Sequence, residues 1–199
     1  MLHFQKLIPF DTVSSIVDNA PKNQQRSIMK ELVHTRDITL RTYDLGEQTI
    51  LVEGRLLDNR HRAREGKDHQ SPRVIHDMII RLKVKGPEMI IEEAEAEMPH
   101  APMEECKVVL PWLKKIEGLS IVAGFTIRMK DMFGYIKGCN HLTSLLIAMG
   151  PEAVQGYLSA YRGRGGSNQG SSQDAYKKII NTCYLWREDG PLASALKEG

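Results

Sequence analysis

The feature that most constrains this chain is its hydrophobic period. Between Val33 and Met98 apolar and polar residues alternate with a period of two, in runs separated by turn signals. That period belongs to half-buried strands, whose successive side chains point to opposite faces of a sheet. His34-Thr35-Arg36-Asp37-Ile38-Thr39-Leu40-Arg41 is the first run and Thr49 to Asp58 the second, with the turn Asp44-Leu45-Gly46-Glu47 between them. Val74 to Val84 forms a third strand, Lys85-Gly86-Pro87 a turn, and Met89 to Met98 a fourth. Pro99-His100-Ala101-Pro102 is expected to end the sheet, because proline cannot donate to a ladder. The result is an antiparallel meander of four strands.

After Pro102 the period becomes helical. Met103 to Ile116 carries apolar positions at helical spacing, with Pro111 expected to kink or divide it. Phe125 to Phe133 fits a short helix. Cys139 to Met149 fits another, with Leu142, Leu145, Leu146 and Met149 on its apolar stripe. Pro151 is expected to start a further helix to about Tyr161. Gly163 to Ser172 reads as a flexible loop, and Ser172 to Arg187 as a last amphipathic helix in which Cys183 is core. Strands followed by helices predict an α+β fold, with helices packed on one sheet face. Residues 1–32 read as a peripheral N-terminal arm, 33–190 as a single α+β domain and 191–199 as a tail.

Composition narrows the function class. A net charge of +2 gives no global argument for nucleic acid or an anionic membrane as partner, and a small-molecule ligand is expected instead, with the oligomeric state left open. No apolar stretch approaches the roughly 20 residues that span a bilayer. Met1-Leu2-His3-Phe4-Gln5-Lys6 lacks the apolar run of a signal peptide. Three cysteines without an export signal read as free thiols or metal ligands rather than a disulfide framework. A cytoplasmic protein is expected.

The strand register gathers polar residues. Residues of one parity share a face, so Ile38 and Leu40 lie on the side of His34 and Arg36, and Ile50, Val52 and Leu56 on the side of Asp58. His76 lies among Val74, Met78, Ile80, Leu82 and Val84, and His100 continues the parity of Ile90, Ala94, Ala96 and Met98. A turn centred near Gly46 places His34 opposite Asp58 and Arg36 opposite Leu56. A turn near Gly86 places His76 opposite Ala96. His34, Arg36, Asp58, His76 and His100 then converge at one end of the core-facing side. One histidine on an apolar face is more often a satisfied core residue than a ligand. Five polar groups at one sheet end are harder to reduce to that, since each unpaired buried group costs about 1–3 kcal/mol. An Asp58–His34 or Asp58–Arg36 pair accounts for part of the cluster but not for three imidazoles.

Cys139 follows Gly138 at an expected helix N-terminus, where exposed N–H groups and the helix dipole favour a thiolate. His141 stands in the same first turn. Cys106 lies early in the preceding helical stretch. With both helices aimed at the polar sheet end, His76, His100, Cys106, Cys139 and His141 offer N and S ligands to zinc or iron. The alternative is a nucleophilic Cys139 with a histidine base and Asp58 orienting it. Against both stands the commonest role of free cysteine, a small buried hydrophobe. Glu92, Glu93, Glu95 and Glu97 read as a solvated strand face. The arginine-rich loop from Asn59 to Arg73 is long for a plain connection and suits a phosphate, a carboxylate or a thioester-linked nucleotide handle.

His34-x-Arg36, Glu53-Gly54-x-Leu56-x-Asp58, Ile75-His76-Asp77-Met78, Gly118-Leu119, Gly124-Phe125 and Gly138-Cys139-x-His141-Leu142, in this order with a cysteine after a proline turn, resemble a bacterial family defined only as domain of unknown function 2889. The resemblance spans about residues 33 to 150. It implies the domain and the set of site residues, and no reaction. The 33- and 44-residue gaps between the three cysteines are also similar to those of iron–sulfur scaffold proteins, although the segment before Cys139 reads helical where such scaffolds have strands. Three functions follow as expectations. One is an enzyme acting on an anionic small molecule, metal-dependent or not, with His34, Asp58, His76 and Cys139 as catalytic residues and Arg36 binding the substrate. Another is a non-catalytic metal- or ligand-binding module, and the third a structural subunit.

Overall fold

The computed structural model describes residues 31–62, 73–161, 180–181 and 183–197. The chain divides into two units, Met1–Val33 and His34–Gly199. Every described strand and helix belongs to the second. Residues 1–30 of the expected N-terminal arm, the glycine–serine loop and most of the expected last helix lie outside the described residues, as do residues 63–72 of the arginine-rich loop.

The fold is α+β. Strands β1 (His34–Gly46), β2 (Thr49–Arg60), β3 (Arg73–Lys85) and β4 (Ile90–His100) form one antiparallel sheet in the order β1-β2-β3-β4. On its covered side Ile50, Val52, Leu56, Met78, Ile80, Leu82, Val84 and Ala94 are each 1% exposed or less. The other side is a ladder of ion pairs. Arg55 holds Asp77, Arg81 bridges Glu53 and Glu97, and Lys83 meets Glu92 and Glu93.

Among the described residues three α-helices follow: α1 (Phe125–Phe133), α2 (Asn140–Tyr161) and α3 (Pro191–Lys197), the last within the segment expected as a tail. α2 crosses β1 and β2, and α1 packs on α2. Two glycines allow the crossing. A Cβ on Gly54 of β2 would meet the Met149 sulfur at 2.8 Å and Leu145 at 3.1 Å, and one on Gly156 of α2 would meet Thr42 of β1 at 2.4 Å. Tyr161 ties the far end of the helix to the sheet by donating its hydroxyl to the Thr49 carbonyl at 3.0 Å. A 3-10 run, Glu104–Ile116, packs on β4 through Val109, Leu113 and Ile116. Past it, Gly118–Ile121 hydrogen-bonds to Met89 and Ile91, covering the start of the β4 edge.

Several expectations need correcting. The β1–β2 turn centres on Glu47 and Gln48, both at positive φ, because Gly46 forms a bulge before it. Opposed residues therefore shift by two: Arg36 faces Asp58, Ile38 faces Leu56 and His34 faces Arg60. An even shift preserves every face assignment. β3 and β4 turn around Gly86–Met89, so Ile80, rather than His76, faces Ala96. A bulge near Val84 puts Ile91 into the core in place of Ile90. The sheet continues through Pro99, which an edge strand tolerates at an irregular position. Pro151 starts no new helix, because α2 runs through it. The stretch after Met103 is 3-10 rather than α-helical, and Cys183 is exposed ahead of a 3-10 turn at Tyr184–Trp186.

The close approach of α2 carries an expectation. Gly54→Val drives two methyl groups into Met149 and Leu145 and should lower stability by about 1–3 kcal/mol, read as a lower denaturant midpoint at unchanged slope.

Candidate metal centre

Asp58 organises the site. It is a carboxylate on the covered face of a central strand, 1% exposed. Its cross-strand neighbours are Arg36 on β1 and His76 on β3. Arg36 donates from Nε to Oδ1 and from a terminal nitrogen to Oδ2, each at 2.7 Å. His76 Nδ1 lies 3.0 Å from Oδ2. It is the donor of that bond, since an ionised carboxylate only accepts. Among the described residues no buried side-chain nitrogen or oxygen lacks a hydrogen-bond partner, so the carboxylate is held by this set rather than stranded.

The third approach comes from the helix layer. Cys139 caps α2, its carbonyl accepting from the Thr143 N–H at 2.9 Å. A Cβ on Gly138 would lie 2.7 Å from the Phe133 carbonyl oxygen, so only glycine allows the chain to turn this tightly into the helix. Thr143 is buried, and its hydroxyl reaches the carbonyls of Phe133 and Cys139, both at 2.9 Å. In the first turn of the helix, His141 stacks on His76 with ring centroids 3.8 Å apart, and its Nε2 stands 3.6 Å from Asp58 Oδ2. Its other nitrogen, Nδ1, is 3.7 Å from Cys139 Sγ.

The electrostatics follow from this packing. The Arg36 hydrogen bonds hold the Asp58 carboxyl below the usual aspartate range, against the opposing effect of burial, with Arg36's charge, His76 and His141 adding to the lowering. Burial pushes His141 below the usual histidine value, assisted by His76, Arg36 and His34 and opposed by Asp58. The centre therefore pairs an ionised carboxylate with an imidazole biased toward its neutral form. Those are the protonation states in which the two groups bind metals.

Among the described residues, Asp58, His76 and His141 form a group able to hold a metal ion, with their donor atoms within 4.8 Å of one another. Two ligands about 2.1 Å from one ion and 90–110° apart lie about 3.0–3.4 Å from each other. The 3.0 Å from Asp58 Oδ2 to His76 Nδ1 meets that requirement once this nitrogen gives up the proton it donates here, and the 3.6 Å to His141 Nε2 is slightly wider. Arg36 does not preclude it, because a carboxylate offers about four lone-pair sites and ligating carboxylates are commonly hydrogen-bonded from behind.

The other residues singled out in the sequence fall into two sets. His34 borders the group, with Nε2 3.9 Å from Asp58 Oδ1, and Cys139 borders it through His141. His100 does not join it. The three steps from Glu97 to His100 on β4 span only two on β3, from Ile79 to Asp77, and this bulge sets His100 opposite Asp77, exposed and on that residue's face. Cys106 packs, partly buried, against the apolar core and is no member of the group. Cys183 instead borders a separate cavity of about 390 Å³ between α1, α2 and the C-terminal segment. Sequence reasoning did not single out Thr143. Its signal was a threonine among leucines on a helix face, four residues after Cys139.

The chain belongs to a family of proteins of unknown function, DUF2889, whose model matches residues 34–155. That range holds all four strands, the 3-10 run, α1, and α2 as far as Gln155, and so the whole Asp58 cluster. No curated protein and no solved structure matches the chain. No helix among the described residues is long and apolar enough to cross a membrane.

Acid should act on this centre in two steps. An imidazole whose folded value lies below its unfolded one, about 6.5, loses stability for the fold as pH falls from there through the folded value. A carboxyl with a lowered value stabilises the fold above its unfolded value of about 3.9, and that contribution disappears as pH falls through the folded one. Denaturant midpoints measured against pH should show both steps, and His141→Gln should remove the first. Arg36→Gln should cost about 1–3 kcal/mol at neutral pH and move the second step to higher pH.

Proposed function

We propose that the chain is a metal-dependent enzyme acting on a small anionic organic molecule, with Asp58, His76 and His141 holding one divalent ion, Zn²⁺ or Fe²⁺. The observation that carries this reading is the convergence of two imidazole nitrogens on one oxygen of a buried carboxylate, at 3.0 and 3.6 Å. Two histidines and one carboxylate are a donor set suited to either ion, and one that leaves coordination positions for a substrate. The ion supplies Lewis-acid polarisation of a substrate oxygen. Arg36 keeps Asp58 ionised and oriented, and the packing around His141 favours its neutral form. His34, nearly half exposed at the rim, is placed to exchange protons with solvent. With its Nε and one terminal nitrogen on Asp58, Arg36 has one guanidinium nitrogen outside that fork for the substrate.

A second reading has one specific observation behind it. Cys139 Sγ, His141 and Asp58 stand in series at 3.7 and 3.6 Å, the order of nucleophile, base and orienting carboxylate. It needs no metal and uses His141 as base rather than ligand.

Elemental analysis of protein prepared without a histidine tag or added metal separates the two. The metal reading expects about one zinc or iron per chain, lost in His76→Ala and Asp58→Asn and kept in His100→Ala and Cys106→Ser. Metal-free wild type would overturn it. Alkylation of Cys139 slowed markedly by His141→Gln would then support the thiol reading.

A further inference from the structure

The two edges of the sheet are built differently. β4 is blunted: Pro99 stands within it, bulges interrupt its pairing with β3, Glu92, Glu93, Glu95 and Glu97 load it with charge, and Gly118–Ile121 covers its start. β1, at the other edge, has none of these devices between His34 and Asp44. It is 13 residues long and pairs with β2 in unbroken register over that span. Among the described residues no strand lies on its outer side. Such an edge presents a row of N–H and C=O groups to any extended chain that aligns with it. Its side chains are open as well. Ile38, Tyr43 and Leu45 are exposed, and Leu40 is only partly covered by the core.

We infer that β1 pairs antiparallel with β1 of a second copy, about a two-fold axis at Thr39, joining the two sheets into one. The strand is complementary to itself in this register. On the covered side Ile38 meets Leu40 of the second copy, which carries the apolar layer across the joint. On the opposite face Asp37 meets Arg41, both exposed, and Thr39 meets its own equivalent. The symmetry makes the Asp37–Arg41 and Ile38–Leu40 contacts occur twice. Opposite charges, apolar pairs and threonine pairs directly across from one another are the contacts that stabilise antiparallel strands. Moving the axis to Ile38 or Leu40 sets Asp37 against Thr39 or Tyr43 and loses both Asp37–Arg41 pairs. The same axis brings Asp44 of the second copy opposite His34, at the rim of the Asp58 centre, so each copy helps to wall the other's site. The pairing does not depend on what that centre binds.

Sedimentation of the full chain over a concentration series tests this. Wild type should run as a dimer, at twice the chain's 22.5 kDa. Ile38→Lys, which puts a charge on the apolar side of the edge, should weaken the dimer by about tenfold or more. Asp37→Arg and Arg41→Asp should each weaken it about as much, since each sets like charges opposite one another twice. Asp37→Arg/Arg41→Asp restores opposite charges and should bring dimerisation back toward wild type, a rescue that a merely damaged fold would not show. A wild-type chain that stays monomeric at every concentration overturns the inference, whether the edge is open or taken by another extended segment. A dimer indifferent to Ile38→Lys and to both charge reversals overturns it by placing the interface elsewhere. A double variant no better than the single ones overturns the register at Thr39.

Discussion

The Asp58 carboxylate lies on the apolar side of a central strand, and the local architecture is arranged to make that tolerable. An ionised carboxylate with 1% exposure is costly unless its oxygens are matched. Arg36 answers from one neighbouring strand, His76 from the other and His141 from the helix layer above. Each of these requires the others to be in place. The register of β1 decides whether Arg36 or His34 faces the carboxylate, and the depth at which α2 sits decides whether His141 reaches it.

The depth of α2 is set by small residues at both surfaces. Gly54 gives the helix side chains Leu145 and Met149 room over β2, and Gly156 admits Thr42 of β1. At the N-terminal end Gly138 brings the chain close to the Phe133 carbonyl, and Thr143 ties the Phe133 and Cys139 carbonyls together. The imidazole of His141 is thus presented by a rigid helix start rather than by a free loop. Stacking of the two rings follows from that placement, and it puts one imidazole in a half-buried position beside positive charge. A catalytic or metal-binding group gains from this kind of support, because misplacement by an ångström is costly for either role.

Much of the fold was legible because strand periodicity and turn residues are local signals. The four strands, their antiparallel order and the helix Phe125–Phe133 follow directly from them. The errors arose where a single residue changes the count. The Gly46 bulge moved one pairing by two residues without altering any face, so the grouping of Arg36, Asp58 and His76 survived. The bulge before His100 added one residue, and an odd shift moved that histidine to the other face. Pro151 stands within a helix whose neighbours Met149, Gly150 and Ala153 are buried, so packing outweighs the local preference to start a helix there.

The sequence by itself determined which side of the sheet each strand residue faces, because alternation is a property of the extended chain and survives any even error in register. It therefore determined that Arg36, Asp58 and His76 share a face, and that Cys139 and His141 open a helix. Only the tertiary structure decided that this helix begins over that corner of the sheet, that His141 stacks on His76, and that Cys106 and His100 stay out of the cluster. Those outcomes depend on glycine-sized clearances between layers and on one-residue bulges. Both are differences of a few ångströms between residues far apart in the chain, to which a local pattern is blind.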